Sequence, residues 1–226
     1  MPAKNSVKIY VENGHYHIYN RGVEKRVIFE DEQDYKVFLN YLKEYLSPPP
    51  NPEEISKIQA LQGGSLQSWP RQHKNYEKEI DLIAYCLMPN HFHLIVKQSN
   101  KISMEGFMRS LATRYSMYFN KKYDRVGKLF QGHYKASFIG DENYLLHLTR
   151  YVHLNPSEHT SNLIDTYSSY GDYLGVRHTP WVKPEVILSY FDQAKSDFKR
   201  VNSYKDFIEK FKKDSEILLE GITLEN

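Results

Sequence analysis

The sequence predicts an α+β fold of ferredoxin-like type: one antiparallel sheet with helices packed on one side, followed by a C-terminal helical extension. Segments with strand and helix periodicity interleave in the order β-α-β-β-α-(ββ)-α. Only Pro89 and Asn90 separate the second strand from the third, so these two strands must be antiparallel, which excludes a doubly wound parallel sheet. Hydrophobic residues make up 40% of the 226 residues, enough for a sizeable core.

The first part of the chain predicts one strand and one long helix. Residues 7–19 alternate apolar and polar side chains around Gly14, which is typical of a strand. Residues 31–46 carry apolar side chains at spacings of three and four, with Asp31 as the helix cap. The prolines of SPPPNP end this helix. Residues 53–62 predict a short helix, and an exposed loop follows it.

The second part begins with a strand pair over residues 80–88 and 91–98. Residues 103–121 predict an amphipathic helix, and residues 127–140 a short hairpin or extended segment. A further helix begins at Asp141 and ends before Pro156. We therefore expect one domain over residues 1–175, with a Pro- and Gly-rich insert at about 47–79, and a helical extension over 176–226.

Composition predicts a cytoplasmic protein. No apolar run approaches the roughly 20 residues of a membrane span. The N-terminal residues lack the apolar stretch of a signal peptide. Cys86 is the only cysteine, so the chain has no internal disulfide, which fits a reducing compartment.

Positive charge is concentrated in the middle of the chain. Residues 101–135 include eight basic and two acidic residues, a net charge of +6, whereas the whole chain carries +2. Contact with phosphates and a solvated helix face are both consistent with this pattern. The candidates for contact with phosphates are Arg114, Lys121, Lys122, Arg125, Lys128 and Lys135. Phe130 is a candidate for stacking on a base, although a place in the core explains it equally well.

His91 and His93 interrupt the apolar run YCLMPNHFHLIV. Side chains two residues apart on a strand point to the same face, so both imidazoles project together while Phe92 points into the core. Two such imidazoles can share one metal ion. They can equally be two polar residues on an open face, and His15 and His17 form a second pair of the same kind. The motif alone does not decide between them.

A stripe of polar residues follows on the helix in YLLHLTRYVHLNP. His147, Tyr151 and Asn155 are spaced by four and lie on one face. The phenol oxygen and the amide oxygen one turn apart could reach the same ion. Alternatively, the tyrosine packs on the sheet and the asparagine caps its own helix before Pro156.

Five blocks in this order give the sequence a family resemblance: YNRGVEKRVIFEDEQDYKVFLNYL, AYCLMPNHFHLIV, GKLFQGHYKASFI, YLLHLTRYVHLNP and YSSYGDYLG. Together they resemble the REP-associated tyrosine transposases, which belong to the single-tyrosine HUH transposases. The similarity covers about residues 16–175. It implies that Tyr151 is the nucleophile and that His91, His93 and Asn155 bind a divalent metal, Mg²⁺ or Mn²⁺. His15 and His17 then fall in a block that needs no ligand pair.

The resemblance also implies an activity. It predicts cleavage and strand transfer of single-stranded DNA at REP-like hairpins through a covalent 5′-phosphotyrosine. The protein is expected to be a monomer or homodimer that binds no membrane and is associated with the nucleoid. Two imidazoles and an amide by themselves favour Mn²⁺ or a later metal over Mg²⁺. Two other functions stay open: a hairpin-binding module without chemistry, and a metal-dependent nuclease that uses water.

Overall fold

A four-stranded antiparallel sheet forms the centre of the molecule. The computed structural model describes residues 9–51, 53, 74–192 and 203–210. The strands pair in the order β2-β3-β1-β4, and every neighbouring pair is antiparallel. This arrangement confirms the predicted α+β fold. The strands are β1 (His15–Arg21), β2 (Ile80–Met88), β3 (His91–Gln98) and β4 (Lys135–Ile139).

Helices connect and follow these strands, and two of them begin at the predicted caps. The Asp31 carboxylate accepts a hydrogen bond from the Asp34 backbone N–H at 3.1 Å, and Asp141 accepts one from that of Tyr144 at 2.8 Å. Short 3₁₀ turns occur at Val23–Lys25 and Asn155–Glu158. The helices are α1 (Glu32–Leu46), α2 (Ser103–Lys122), α3 (Glu142–Leu154), α4 (Tyr170–Tyr173), α5 (Glu185–Asp192) and α6 (Tyr204–Lys210).

Some predicted elements differ from the structure or lie outside its described residues. Within residues 127–140 there is one strand, β4, instead of a hairpin, and Phe130 makes only an isolated bridge to Gly22. The described part of the first strand begins at His15 instead of residue 7. Residues 54–62 of the predicted short helix, like most of the 47–79 insert, lie outside the described residues.

Helices cover both faces of the sheet, so the prediction that they pack on one side was wrong. On one face, Phe92 of β3 packs among residues of α1 and α2, including Phe38. On the other face, Ile95 of the same strand belongs to a second core with Val152 of α3 and Phe207 of α6. The reason is visible in β2 and β3, where consecutive residues are buried on both sides, as in strands covered twice.

The described parts of the C-terminal extension pack on α3. The fully buried Arg150 guanidinium donates to the Ile208 carbonyl from Nε at 3.2 Å and from Nη2 at 3.1 Å. His153 hydrogen-bonds the Tyr204 hydroxyl at 2.7 Å through Nδ1. Helix α3 is therefore fixed between the sheet and α6. Among the described residues, no helix is long and apolar enough to span a membrane.

Candidate active site

The hairpin of β2 and β3 presents two imidazoles to the face that α3 covers. His91 and His93 project together, with ring centroids 5.0 Å apart and ring planes nearly perpendicular. Phe92 between them is 1% exposed and points into the opposite core. The pleat of the strand thus separates an apolar anchor from a polar pair, as the alternation predicts.

Helix α3 brings Tyr151 and Asn155 onto the same pair. The Tyr151 ring stands edge-on to the His93 ring, with centroids 5.6 Å apart and an interplanar angle of 85°. The Asn155 side chain lies beside the His91 ring, where it acts to raise the pKa of that imidazole. The four predicted site residues therefore meet at one place, although they come from segments more than fifty residues apart in sequence.

Each of the two imidazoles is held through its Nδ1 atom. His91 Nδ1 lies 2.6 Å from Asn90 Oδ1, and Asn90 is itself oriented by its Nδ2 donating to the Lys25 carbonyl at 3.3 Å. Because an amide oxygen only accepts, His91 donates from Nδ1, and its Nε2 carries the lone pair. His93 Nδ1 lies 2.8 Å from His17 Nε2. His93 Nε2 is buried and has no hydrogen-bond partner among the described residues.

Burial keeps both imidazoles uncharged at neutral pH. It lowers the pKa of His91 to about 4, against the smaller opposing effect of the hydrogen bond with Asn155. It also lowers the pKa of His93 well below the ordinary histidine value, with further contributions from His17 and His91. The neutral imidazole is the form that binds a metal ion.

The donor atoms fit a divalent cation. Each neutral imidazole has a lone pair on Nε2, and the Nε2 of His93 is buried without a hydrogen-bond partner among the described residues. Asn155 donates from Nδ2 to the Tyr151 carbonyl at 2.9 Å, so it caps its helix with nitrogen and keeps its oxygen as a possible ligand. No group of three His, Cys, Asp or Glu residues suited to a metal ion occurs in the part of the chain that the structure describes. Two imidazoles and an amide would leave coordination positions for a phosphate oxygen and water.

Two other residues of α3 are less suited to chemistry at this point. Burial, followed by the neighbouring Tyr19, raises the pKa of Tyr144 to about 12, which opposes formation of a phenolate. The His147 ring packs on Phe207 of α6, with centroids 5.4 Å apart, and so lies against the C-terminal helix.

The sheet carries further polar residues beside the histidines. Arg21 is the cross-strand partner of His91, and Tyr19 pairs with both His93 and Lys135. The Arg21 guanidinium donates to Gln131 Oε1 from Nε at 3.1 Å and from Nη2 at 3.0 Å. Lys135, one of the predicted DNA-contacting residues, therefore lies at the same level of the sheet as His93, with Tyr19 between them.

Three residues that lie against the two histidines were not predicted as site residues from the sequence. They are Arg21 beside His91, Asn90 on its Nδ1, and His17 on the Nδ1 of His93. The sequence carried a partial signal for each. Arg21 lies within the block YNRG, Asn90 immediately precedes His91, and His17 belongs to the competing His-x-His pair.

Three of the predicted DNA contacts are engaged within the fold. Lys122 Nζ lies 2.7 Å from carboxylate oxygens of both Asp31 and Asp34. Arg114 pairs with Glu44 and lies 3.9 Å from the centroid of the Tyr41 ring.

The third is Phe130, for which a stacking role was predicted. Its side chain is 6% exposed and packs edge-on against Phe92. A buried ring cannot stack on a base, so that prediction is corrected. Of the remaining basic candidates, Lys121 and Lys128 are exposed, and Arg125 donates to Asn120 Oδ1 at 2.9 Å.

Comparisons with known proteins agree with this fold. Residues 71–155, which include all four site residues, match the family model described as "Transposase IS200 like". A solved REP-associated tyrosine transposase bound to a REP hairpin aligns with 78% of this chain and 95% of its own, at 12% identity and a TM-score of 0.50. A Deinococcus radiodurans R1 protein described as a candidate transposase aligns over 67% and 95%, at 13% identity and a TM-score of 0.35. No curated protein matches the sequence.

Proposed function

We propose that this chain is a DNA transposase of the IS200-like family, as its resemblance to REP-associated tyrosine transposases predicted, and that it cleaves and rejoins single-stranded DNA beside a REP-like hairpin. The match of residues 71–155 to the family model supports this general function. Our proposal adds the chemistry: a covalent 5′-phosphotyrosine on Tyr151, formed with a divalent metal ion, Mg²⁺ or Mn²⁺, in place.

The observation that supports this proposal most strongly is the position of Tyr151 on the buried histidine pair. Its ring centroid lies 5.6 Å from that of His93. Tyr151 is one helical turn before Asn155, whose side chain lies beside the His91 ring. A phosphate held beside these imidazoles would lie within reach of the phenol. Burying an unpaired polar atom costs free energy. A metal ion would explain why His93 Nε2 is buried without a hydrogen-bond partner among the described residues.

The proposed reaction exchanges one phosphate ester for another. The Tyr151 oxygen forms a bond to the phosphorus, and the bond from phosphorus to the 3′ oxygen breaks. The products are a 5′-phosphotyrosine and a free 3′-hydroxyl, to which the phenol proton is transferred overall. Attack by a second 3′-hydroxyl reverses the step and joins a new strand. The ester energy is conserved, so no nucleotide cofactor is required.

The protein residues have distinct parts in this reaction. His91, His93 and Asn155 would hold the metal ion, which supplies charge withdrawal from the scissile phosphate when it is bound. Helix α3 holds Tyr151 at a fixed rotation, because it is capped at Asp141 and packed on α6. A free phenol has a pKa of about 10, so an undirected tyrosine is a weak nucleophile at neutral pH.

The surroundings of the site support a nucleic-acid substrate. Arg21 and Lys135 lie on strands next to the histidines, and the exposed Lys128 precedes Leu129, whose carbonyl accepts from the Val23 backbone just beyond β1. These cations can contact phosphates flanking the cut. The proposed substrate is single-stranded at the cut, as the resemblance to the REP-associated tyrosine transposases implies. We retain the prediction of a monomer or homodimer.

A labelled oligonucleotide tests the proposal. A REP-like hairpin with a single-stranded flank and a 3′-end label is incubated with protein and Mn²⁺, then separated on a denaturing gel. We expect a protein-sized labelled band, absent with Tyr151→Phe and retained with Tyr144→Phe, and mass spectrometry should locate the nucleotide on the peptide containing Tyr151.

The other outcomes separate the rival functions. Cleavage without an adduct would indicate a nuclease that uses water. Binding without cleavage would indicate a hairpin-binding module. A normal adduct from Tyr151→Phe would exclude this nucleophile.

A further inference from the structure

We infer that His17 is a positioning residue for the metal site: its Nε2 accepts the Nδ1 proton of His93 and so leaves the His93 Nε2 lone pair for the ion. The inference rests on the proposed function, since it assigns a role within the same site. It concerns a residue that the family resemblance treats as part of a structural block. No charge change is involved, only the direction of one hydrogen bond.

The geometry of the two rings supports a specific contact. His17 on β1 is the cross-strand partner of Ile95 on β3, so it reaches His93 diagonally on the same face of the sheet. The His17 Nε2 and His93 Nδ1 atoms are 2.8 Å apart, the ring centroids are 5.0 Å apart, and the ring planes are inclined by only 15°. Both side chains are fully buried. A buried hydrogen bond of this length fixes the orientation of both rings.

The direction of this bond decides whether His93 can bind a metal. A neutral imidazole carries one N–H, so only one of its nitrogens has a lone pair. If His17 donated, the proton of His93 would be on Nε2 and that atom could not be a ligand. If His93 donates from Nδ1, its Nε2 lone pair is available. His91 has the second arrangement, because its Nδ1 faces the acceptor oxygen of Asn90.

The proposed metal site requires donation by His93. With His17 accepting at Nε2, its own proton is on Nδ1, which is buried without a hydrogen-bond partner among the described residues. Ser137 on β4 is the cross-strand partner of His17, and its buried hydroxyl also has no partner in that part of the chain. The opposite arrangement would instead place the unpaired N–H on His93 Nε2 and leave no lone pair there for an ion. Each arrangement buries one unpaired N–H, so only the one with His93 as donor is compatible with a metal ion on His93 Nε2.

The arrangement is that of a second ligand shell. A metal-bound histidine that donates its other N–H to a fixed acceptor has a defined tautomer and ring orientation, and loss of the acceptor typically lowers metal affinity by about 10- to 100-fold. Asn90 provides the acceptor for His91, and His17 provides it for His93. The second His-x-His pair of the sequence thus contributes one residue to the site without being a ligand pair.

Mn²⁺ binding to intact protein variants, followed by electron paramagnetic resonance, tests the role of His17. His17→Phe keeps a ring but has no acceptor, and we expect an affinity loss of about 10- to 100-fold. His17→Gln keeps an acceptor at a similar reach and should bind within severalfold of the original protein. His15→Leu, on the same strand and face but not bonded to His93, is the matched control. Unchanged affinity in His17→Phe would overturn the inference.

Long-range ¹H–¹⁵N nuclear magnetic resonance of the unsubstituted protein, without metal, gives an answer that does not depend on any variant folding. A His93 spectrum with the proton on Nδ1 supports the inference, and one with the proton on Nε2 overturns it. Failure of the proposed function has a different signature. It would appear as an unsubstituted protein that binds no Mn²⁺ or forms no adduct, whatever the His93 tautomer.

Discussion

Mild acid should destabilise this protein strongly, because burial keeps several of its histidines uncharged. Burial lowers the pKa of His17 and His153 to about 3 and that of His91 to about 4, and it lowers the pKa of His93 well below the ordinary value. In the unfolded chain each imidazole is free to bind a proton near pH 6.5. As the pH falls below that value, the unfolded state binds more protons than the folded state, so the free energy of unfolding decreases.

The magnitude follows from this difference in proton binding. For His17, His91 and His153 the folded pKa lies below the whole range considered, so only the unfolded state titrates. Between about pH 7.5 and about pH 5.5, each ring lowers the free energy of unfolding by about 1.4 kcal/mol, and the three together lower it by about 4 kcal/mol. The full stabilisation is present above about pH 7.5 and continues to be lost down to the folded pKa values. Because small domains are stable by about 5–15 kcal/mol, the effect is large.

Urea denaturation in the presence of a chelator measures this dependence. His153 is the best residue for substitution, because its nitrogens contact Tyr204 and Ser169 at 2.7 Å and lie outside the proposed metal site. His153→Gln should reduce the pH-dependent loss by about 1.4 kcal/mol. Substitution of the exposed His133 by Gln is the control and should leave the loss unchanged. A total loss below about 1.4 kcal/mol over this range would refute the reasoning.

Three further predictions concern the site and its DNA contacts. His91→Ala should abolish cleavage on a gel but keep hairpin affinity within severalfold, whereas His15→Ala should cleave normally; the reverse result would mean that the wrong pair was chosen. Lys121→Met should flatten the logarithmic salt dependence of hairpin binding by about one, and an unchanged slope would remove it from the interface. Lys122→Met should leave that slope unchanged and lower the free energy of unfolding by about 1–2 kcal/mol, because the buried Asp34 carboxylate loses a cation; a flatter slope with full stability would contradict the ion pairs.

Local pattern was sufficient for most of the secondary structure. The caps at Asp31 and Asp141 and the two-residue turn before His91 depend on neighbours in sequence, and the structure has each of them. The common direction of His91 and His93 also follows from the pleat alone. The spacing of Tyr151 and Asn155 follows from the helical repeat. These features are determined within a few residues, so the sequence was enough to predict them.

The sequence could not decide how the side chains are shared between distant segments. Eight basic residues in one stretch predict a charged surface, but only packing shows that Lys122 belongs to the carboxylates of α1 and that Phe130 lies in the core. Composition shows how many charged and aromatic side chains the protein has. Their exposure depends on which other residues pack against them in the folded protein. The same limit led to the prediction that helices cover one face only.

The amino-acid sequence by itself determined the order of elements, the two imidazoles on one strand face, and the helix that carries Tyr151. The tertiary structure alone decided that α3 crosses the sheet above His93, and that His17, seventy-six residues earlier, meets its Nδ1. The physical reason is the distance along the sequence over which each interaction acts. Backbone periodicity and capping act over one or two turns, whereas the orientation of a buried imidazole is set by a hydrogen bond across strands that pair only when the whole sheet has formed.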